Sequence, residues 1–220
     1  MKSVLLSTRP KWCEKICHEI GTDKNGKQIY EKSIEVRKTK PSIPTPFKVY
    51  IYCTQQRVLG EILLTYDKKV EGRNRGFRDV GDVPLAGKII GEFICDKIDE
   101  YKFYNGLTKF NSMGLPSGVY GSYLIFADDY KSMCLSYDEV KNFGKGKTLY
   151  GWHISQLKIY DKPKELREFY TIDESGNDCC IACVYHETPI KEMPCRTCTG
   201  ERRYLYRPPQ SWCYVQEEDA

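Results

Sequence analysis

The chain has 220 residues, enough to bury the core of one large domain or of one domain with a small appendage. Its formal net charge of +4 does not by itself announce a polyanionic partner, and 17 tyrosines with a negative mean hydropathy fit a β-rich protein with hydrogen-bonding surfaces. No apolar run approaches the roughly 20 residues that cross a bilayer, and Arg9, Lys11, Glu14 and Lys15 stand where a signal peptide would be apolar. The expectation is a cytoplasmic protein with no membrane partner.

Residues 4–8 read as a first strand and residues 10–19 as a helix, with Trp12, Ile16 and Ile20 recurring at a spacing of four. Gly21 to Gly26 breaks it. In the next segment, Lys32-Ser33-Ile34-Glu35-Val36-Arg37, the β-branched Ile34 and Val36 predict a strand over 33–37. Alternation then puts Ser33, Glu35 and Arg37 on one face and Ile34 and Val36 on the other. On a surface or rim, the Glu35 and Arg37 pair is an ion pair of small value. At the mouth of a barrel it becomes a polar reader of a flat ligand, because arginine offers a fixed fork of donors and glutamate offers acceptors.

Pro41, Pro44 and Pro46 punctuate the crossing to a strand over 48–53. Residues 55–83 form a polar excursion in which Lys68, Lys69, Arg73, Arg75 and Arg78 outnumber Glu71. That run is either a solvated loop or a track for a nucleic-acid backbone. A strand over 86–96 follows. Residues 99–147 loosen into aromatic and helical pieces, including a short helix over 137–143, and read as an insertion. Gly144-Lys145-Gly146-Lys147-Thr148 lacks the upstream glycine spacing of a phosphate loop and is a turn.

Residues 150–160 are extended, with Trp152 and Ile154 on one face and His153 on the other; 163–169 form a helical cap. Residues 204–205 and 212–215 return as strands before the acidic Glu217, Glu218 and Asp219. Short strands with few long helices predict an α+β class and a small mixed barrel.

Five of the 11 cysteines fall between Cys179 and Cys198. In a reducing compartment these are not a disulfide framework. Cys180-x2-Cys183 and Cys195-x2-Cys198 have the spacing of two knuckles closing one tetrahedral thiolate site, which predicts a structural Zn2+ that also orders the loop. Cys179 or His186 could replace one ligand. An iron–sulfur cluster, unligated thiols and redox chemistry are the competing readings.

Together, Ser7-Thr8-Arg9-Pro10-Lys11-Trp12, the Lys32, Glu35, Arg37 motif, Val49-Tyr50-Ile51-Tyr52, Ile89-Ile90-Gly91-Glu92-Phe93, Gly151-Trp152-His153-Ile154-Ser155 and the closing Arg207 to Val215 resemble the ASCH domain family. ASCH domains are PUA-like barrels related to RNA-modifying proteins, and the likeness is to their longer, phage-associated members. One departure is that the glycine before the lysine sits in the enlarged loop from Gly21 to Gly26. The resemblance implies a PUA-like barrel over 1–177 with an insertion at about 99–147, a Cys-rich metal subdomain at 178–200, and residues 201–220 returning strands to the barrel before an acidic tail.

The resemblance further implies nucleic-acid binding, to RNA rather than DNA, with a modified base as one ligand. Trp12, Lys32, Glu35, Arg37, Glu92 and Trp152 would line the site, and Trp12 or Trp152 would stack a base. A separate reading, without nucleic acid, is an interaction adaptor that docks a protein partner on the Cys-rich loop or the tyrosine-rich insertion. Family members that hydrolyse acetylated cytidine use a lysine, a threonine three positions later and a glutamate on a later strand. Here Lys32 and Glu92 match and position 35 holds Glu, so the alternative is a small hydrolase with Lys32 and Glu92 as its catalytic pair. If Glu35 and Arg37 are instead a structural ion pair, Trp12 and Trp152 belong to the core.

Overall fold

The computed structural model describes residues 2–55, 65–66, 77–78, 85–104, 106–110, 127–172 and 203–218. Its centre is an eight-stranded mixed sheet in the order β11-β12-β1-β5-β8-β10-β4, with β9 paired to β8. The strands are β1 (Ser3–Thr8), β4 (Ile34–Arg37), β5 (Phe47–Cys53), β8 (Ile89–Tyr104), β9 (Gly106–Phe110), β10 (Leu149–Lys164), β11 (Phe169–Thr171) and β12 (Trp212–Glu217). β1 runs parallel to β5, and the other pairs along the path are antiparallel. Two small ribbons stand apart: β2 (Glu19–Thr22) with β3 (Gln28–Tyr30), and β6 (Thr65–Tyr66) with β7 (Phe77–Arg78). The helices are α1 (Pro10–Cys17), α2 (Ala127–Met133) and α3 (Tyr137–Gly144). None is long and apolar enough to cross a membrane, which says nothing of a β-barrel.

The α+β class with a large mixed sheet and few helices agrees with expectation, but among the described residues the hydrogen-bonded ladder does not close. β4 and β11 remain as its ends. The chain leaves β4 through Pro41, Pro44 and Pro46, which have no N–H to give a ladder. Closure falls to side chains instead. Arg37 Nη2 donates to Ser7 O at 2.8 Å, Trp212 Nε1 to Thr39 Oγ1 at 2.9 Å, and the backbone N–H of Ser42 to the Tyr214 hydroxyl at 2.9 Å. Strands distant in the ladder are thereby brought together, so the sheet curls.

Inside the curl, Val4, Leu6, Val49, Ile51, Phe93 and Trp152 form one core with the buried face of α1. That face is Pro10, Cys13, Ile16 and Cys17. The predicted Trp12, Ile16, Ile20 stripe is therefore only partly right: Trp12 is half-buried, and Ile20, beyond the helix in β2, is 50% exposed. Alternate residues of the same strands, Leu5, Tyr50, Tyr52, Ile89 and Val215, form a second core on the outer face with Tyr160 and Phe169. A third joins Ile34, Val36, Tyr101 and Leu149 to Met133 and Val140 of α2 and α3.

β8 continues to Tyr104, so the first residues of the expected insertion are sheet, and Asp99 pairs with Gly151. The alternation there is hidden by charged residues and by the register shifts of the β8–β10 ladder. α3 is well signalled: Ser136 accepts from the Glu139 N–H and Glu139 reaches back to the Ser136 N–H, a capping box worth about 1 kcal/mol. Its end is a left-handed turn at Lys145 with φ 50° followed by Gly146 at 77°, so the glycine-rich stretch is a helix stop. The acidic tail is more ordered than its composition suggests: Glu217 lies in β12 and accepts from Tyr50 Oη at 3.1 Å, and Glu218 accepts from Tyr204 Oη at 2.5 Å.

Candidate functional site

Lys32, Glu35 and Arg37 converge beside the inner core. β4 delivers Glu35 and Arg37 to the face that carries Trp152, because Glu35 is the ladder partner of Trp152 and Arg37 that of Tyr150. Ile34 and Val36 face the third core, as alternation requires. Lys32 precedes the strand and is held by its own N–H to Lys15 O at 3.0 Å.

Glu35 sits between two cations. Its Oε1 is 2.9 Å from Arg37 Nη2 and its Oε2 is 3.4 Å from Lys32 Nζ. Lys32 is 1% exposed and Glu35 5%. Lys32 Nζ also donates to Met133 O at 2.5 Å and lies 4.9 Å from the centre of the Trp12 ring. Burial lowers the Lys32 pKa from its ordinary value; the Glu35 carboxylate opposes this but does not cancel it. Arg37 Nη2 further meets Thr8 Oγ1 at 3.2 Å.

Two donors on this face remain unspent. Arg37 Nε and Trp152 Nε1 are both buried and find no acceptor among the described residues. The two side chains are diagonal neighbours on paired strands. The cluster thus combines two cations, one carboxylate and free N–H groups. Chemically it suits an acceptor-rich group such as a phosphate or a carbonyl.

Glu92 does not join the cluster. On β8 it pairs with Tyr50 and Lys158, and so belongs to the outer face, while Phe93 beside it enters the inner core. Its Oε2 accepts from Tyr160 Oη at 2.6 Å and pairs with Lys48 Nζ at 3.2 Å. Burial pushes this carboxyl upward, but the Tyr160 hydroxyl and the Lys48 ammonium outweigh it and hold the pKa below the usual value. Lys32 and Glu92 therefore have separate partners: Glu35 and Met133 O for the lysine, Tyr160 and Lys48 for the glutamate.

Trp152 is fully buried, edge-on to Phe47 at 5.7 Å and tilted against Trp212 at 6.1 Å, so it packs the core and offers no stacking face. Trp12 is half-buried with Lys11 Nζ 4.7 Å above its ring, and remains the aromatic at the cluster's edge. His153, on the opposite face from Trp152, is paired through Nε2 with Asp99 Oδ2 at 2.7 Å.

Lys68, Lys69, Arg73, Arg75 and the metal candidates Cys180, Cys183, Cys195 and Cys198, with Cys179 and His186, lie outside the described residues; Arg78 is described only as a strand position opposite Thr65. Among the described residues no group of three or more His, Cys, Asp or Glu side chains is placed to hold a metal, and Cys13, Cys17, Cys53, Cys95 and Cys134 are free thiols.

Sequence reasoning missed Ser7 and Thr8, which anchor Arg37, and Met133 O, which takes the Lys32 proton donor. Ser7 and Thr8 end an all-buried strand, and two small hydroxyls there were a readable sign of polar neighbours. A backbone acceptor some hundred positions away leaves no mark in the sequence.

No protein-family model matches the chain, and no curated protein matches it. Among solved structures it is similar to an ASCH protein from Zymomonas mobilis, with 12% identity over 98% of this chain and 88% of that one and a TM-score of 0.46. A point mutant of the same protein gives 12% identity over 98% of this chain and 89% of that one, with a TM-score of 0.42.

Proposed function

We propose that the protein is a nucleic-acid-binding module of the ASCH type, for RNA in preference to DNA, which places a phosphate or a base carbonyl against Arg37. The observation that carries this reading is that Lys32 and Arg37 share one buried carboxylate while Arg37 Nε has no acceptor among the described residues. A buried donor left without a partner costs about 1–3 kcal/mol. An anionic, acceptor-rich ligand removes that cost and balances the second cation. The sequence resemblance supplies the ligand class, and Trp12 is the adjacent aromatic for stacking.

A structural zinc on Cys180, Cys183, Cys195 and Cys198 completes the proposal, supported by the paired spacing alone. Hydrolysis by Lys32 with Glu92 is not favoured, since Glu92 is engaged by Tyr160 and Lys48 while Lys32 is held by Glu35 and Met133 O.

Filter retention of labelled single-stranded RNA and DNA at low salt tests the reading. The wild type should retain RNA, and Arg37→Lys, which keeps the charge but loses the fork, should retain much less while melting cooperatively. Retention of neither nucleic acid would reject the proposal. Metal content of the purified chain, near one zinc and lost in Cys183→Ser, tests the zinc site separately.

A further inference from the structure

A basic and aromatic surface lies where β4 ends and β10 begins. The β4–β10 ladder stops at Arg37 and Tyr150, so Lys38 and Lys40 leave β4 beside Lys145 and Lys147, which lead from the end of α3 into β10. All four lysines are exposed. Lys38 Nζ stands 4.9 Å from the centre of the Phe143 ring, and Lys40 Nζ 5.4 Å from that of Tyr150. Phe143 remains 41% exposed.

This corner is continuous with the buried cluster by two routes. Lys38 follows Arg37 directly in the chain. On the other side, Lys32 Nζ and Lys11 Nζ lie 4.9 Å and 4.7 Å from the centre of the Trp12 ring, and Lys11 reaches Glu139 of α3 at 4.0 Å. Glu139 and Phe143 are four residues apart and share a flank of α3, whereas Val140 and Gly144 face inward.

Ammonium groups interleaved with an exposed ring are what a single-stranded polynucleotide requires. Lysines meet successive phosphates as point charges, and a phenyl face stacks an unpaired base. A duplex hides its base faces and has no use for the ring. We infer that Lys38, Lys40, Lys145 and Lys147, with Phe143, form a track for the backbone of single-stranded nucleic acid leading to Arg37. This rests on the nucleic-acid reading above and replaces none of its residues.

The test is fluorescence anisotropy with an oligoribonucleotide of about twelve nucleotides, titrated between about 50 and 200 mM salt. Substituting all four lysines with alanine should weaken binding about ten- to hundred-fold and flatten the salt dependence by about two to three in the log–log slope. Phe143→Ala should weaken binding about five- to hundred-fold with the slope unchanged. Thermal melts of both variants should match the wild type, since the altered side chains are exposed. A wild type that binds while the lysine variant keeps its affinity and slope overturns the track and leaves the Arg37 reading standing. A wild type that binds nothing rejects that reading itself. Equal losses on a blunt duplex of the same length overturn the single-strand assignment.

Discussion

The guanidinium of Arg37 donates to the backbone carbonyl of Ser7 at 2.8 Å, joining β4 to β1 although β10, β8 and β5 separate them in the ladder. The same nitrogen holds Glu35 at 2.9 Å. This side chain is thus one of the three contacts that supply the closure which the proline-rich exit from β4 denies to the backbone, and its Nε–H faces the candidate site.

Removing Arg37 leaves Glu35 buried with only the more distant Lys32. Breaking one partner out of a buried pair costs about 3–5 kcal/mol, so Arg37→Ala should lose that much unfolding free energy in urea. A loss below about 0.5 kcal/mol, the range of a surface substitution, would show that the side chain closes nothing.

Lys32 should titrate below its ordinary value of about 10.4, because burial disfavours the ammonium. In the window between the depressed pKa and the unfolded value, the unfolded chain binds more protons, so stability contributed by this group rises with pH. The 13C shift of the Lys32 side chain, followed through alkaline pH, measures it directly. Lys32→Met should show a shallower alkaline rise in unfolding free energy. Titration at or above the ordinary value would contradict the burial argument.

Glu92 behaves in the opposite sense. Its folded pKa lies below the unfolded value, so its contribution is fully present above the unfolded pKa of about 4.3 and is lost as pH falls through the folded one. Tyr160→Phe deletes the 2.6 Å donor, should cost about 1 kcal/mol near neutrality, and should raise the Glu92 pKa. The penalty should shrink once both proteins carry Glu92 protonated. A penalty constant from neutral pH to about pH 3 would mean that the hydroxyl acts through packing alone.

Local patterning made β4 readable. Ile34 and Val36 announced a strand, and period-two alternation put Glu35 and Arg37 together on the other side, where they lie. The same rule separated Trp152 from His153. Glu92 was out of reach for a specific reason: parity assigns faces within one strand, whereas relating β8 to β4 needs the β8–β10 and β10–β4 registers, and the first is shifted by irregularities after Trp152. α1 misled because Cys13 and Cys17 behave as small hydrophobes and displaced the larger Trp12 from the buried stripe. Lys38 and Lys40 carry no signal of their own in the sequence, because their relation to Lys145 and Lys147 depends on the β4–β10 pairing.

Two glycines mark tight contacts between β8 and β10, and they differ in what surrounds them. A Cβ on Gly91 would come 2.5 Å from the backbone oxygen of Lys158, whereas one on Gly151 would meet Tyr101 Cε2 at 2.8 Å and Ile34 Cγ2 at 2.9 Å. Side chains can turn aside and backbone cannot. Both alanine variants should be less stable by about 1–3 kcal/mol, with Gly91→Ala the worse by chemical denaturation; the reverse order would show that the β8–β10 backbone yields more readily than the packed rings.

The bond from Lys32 Nζ to Met133 O ties the ion cluster to the last residue of α2. That carbonyl sits at a helix end, where the dipole favours a cation. Excising the helical pair would therefore do more than shorten a loop. It would strip a desolvated ammonium of its carbonyl and hand Glu35 a different electrostatic task, so a minimal version of this domain trimmed back to its sheet is expected to carry an altered recognition centre rather than a smaller copy of the same one.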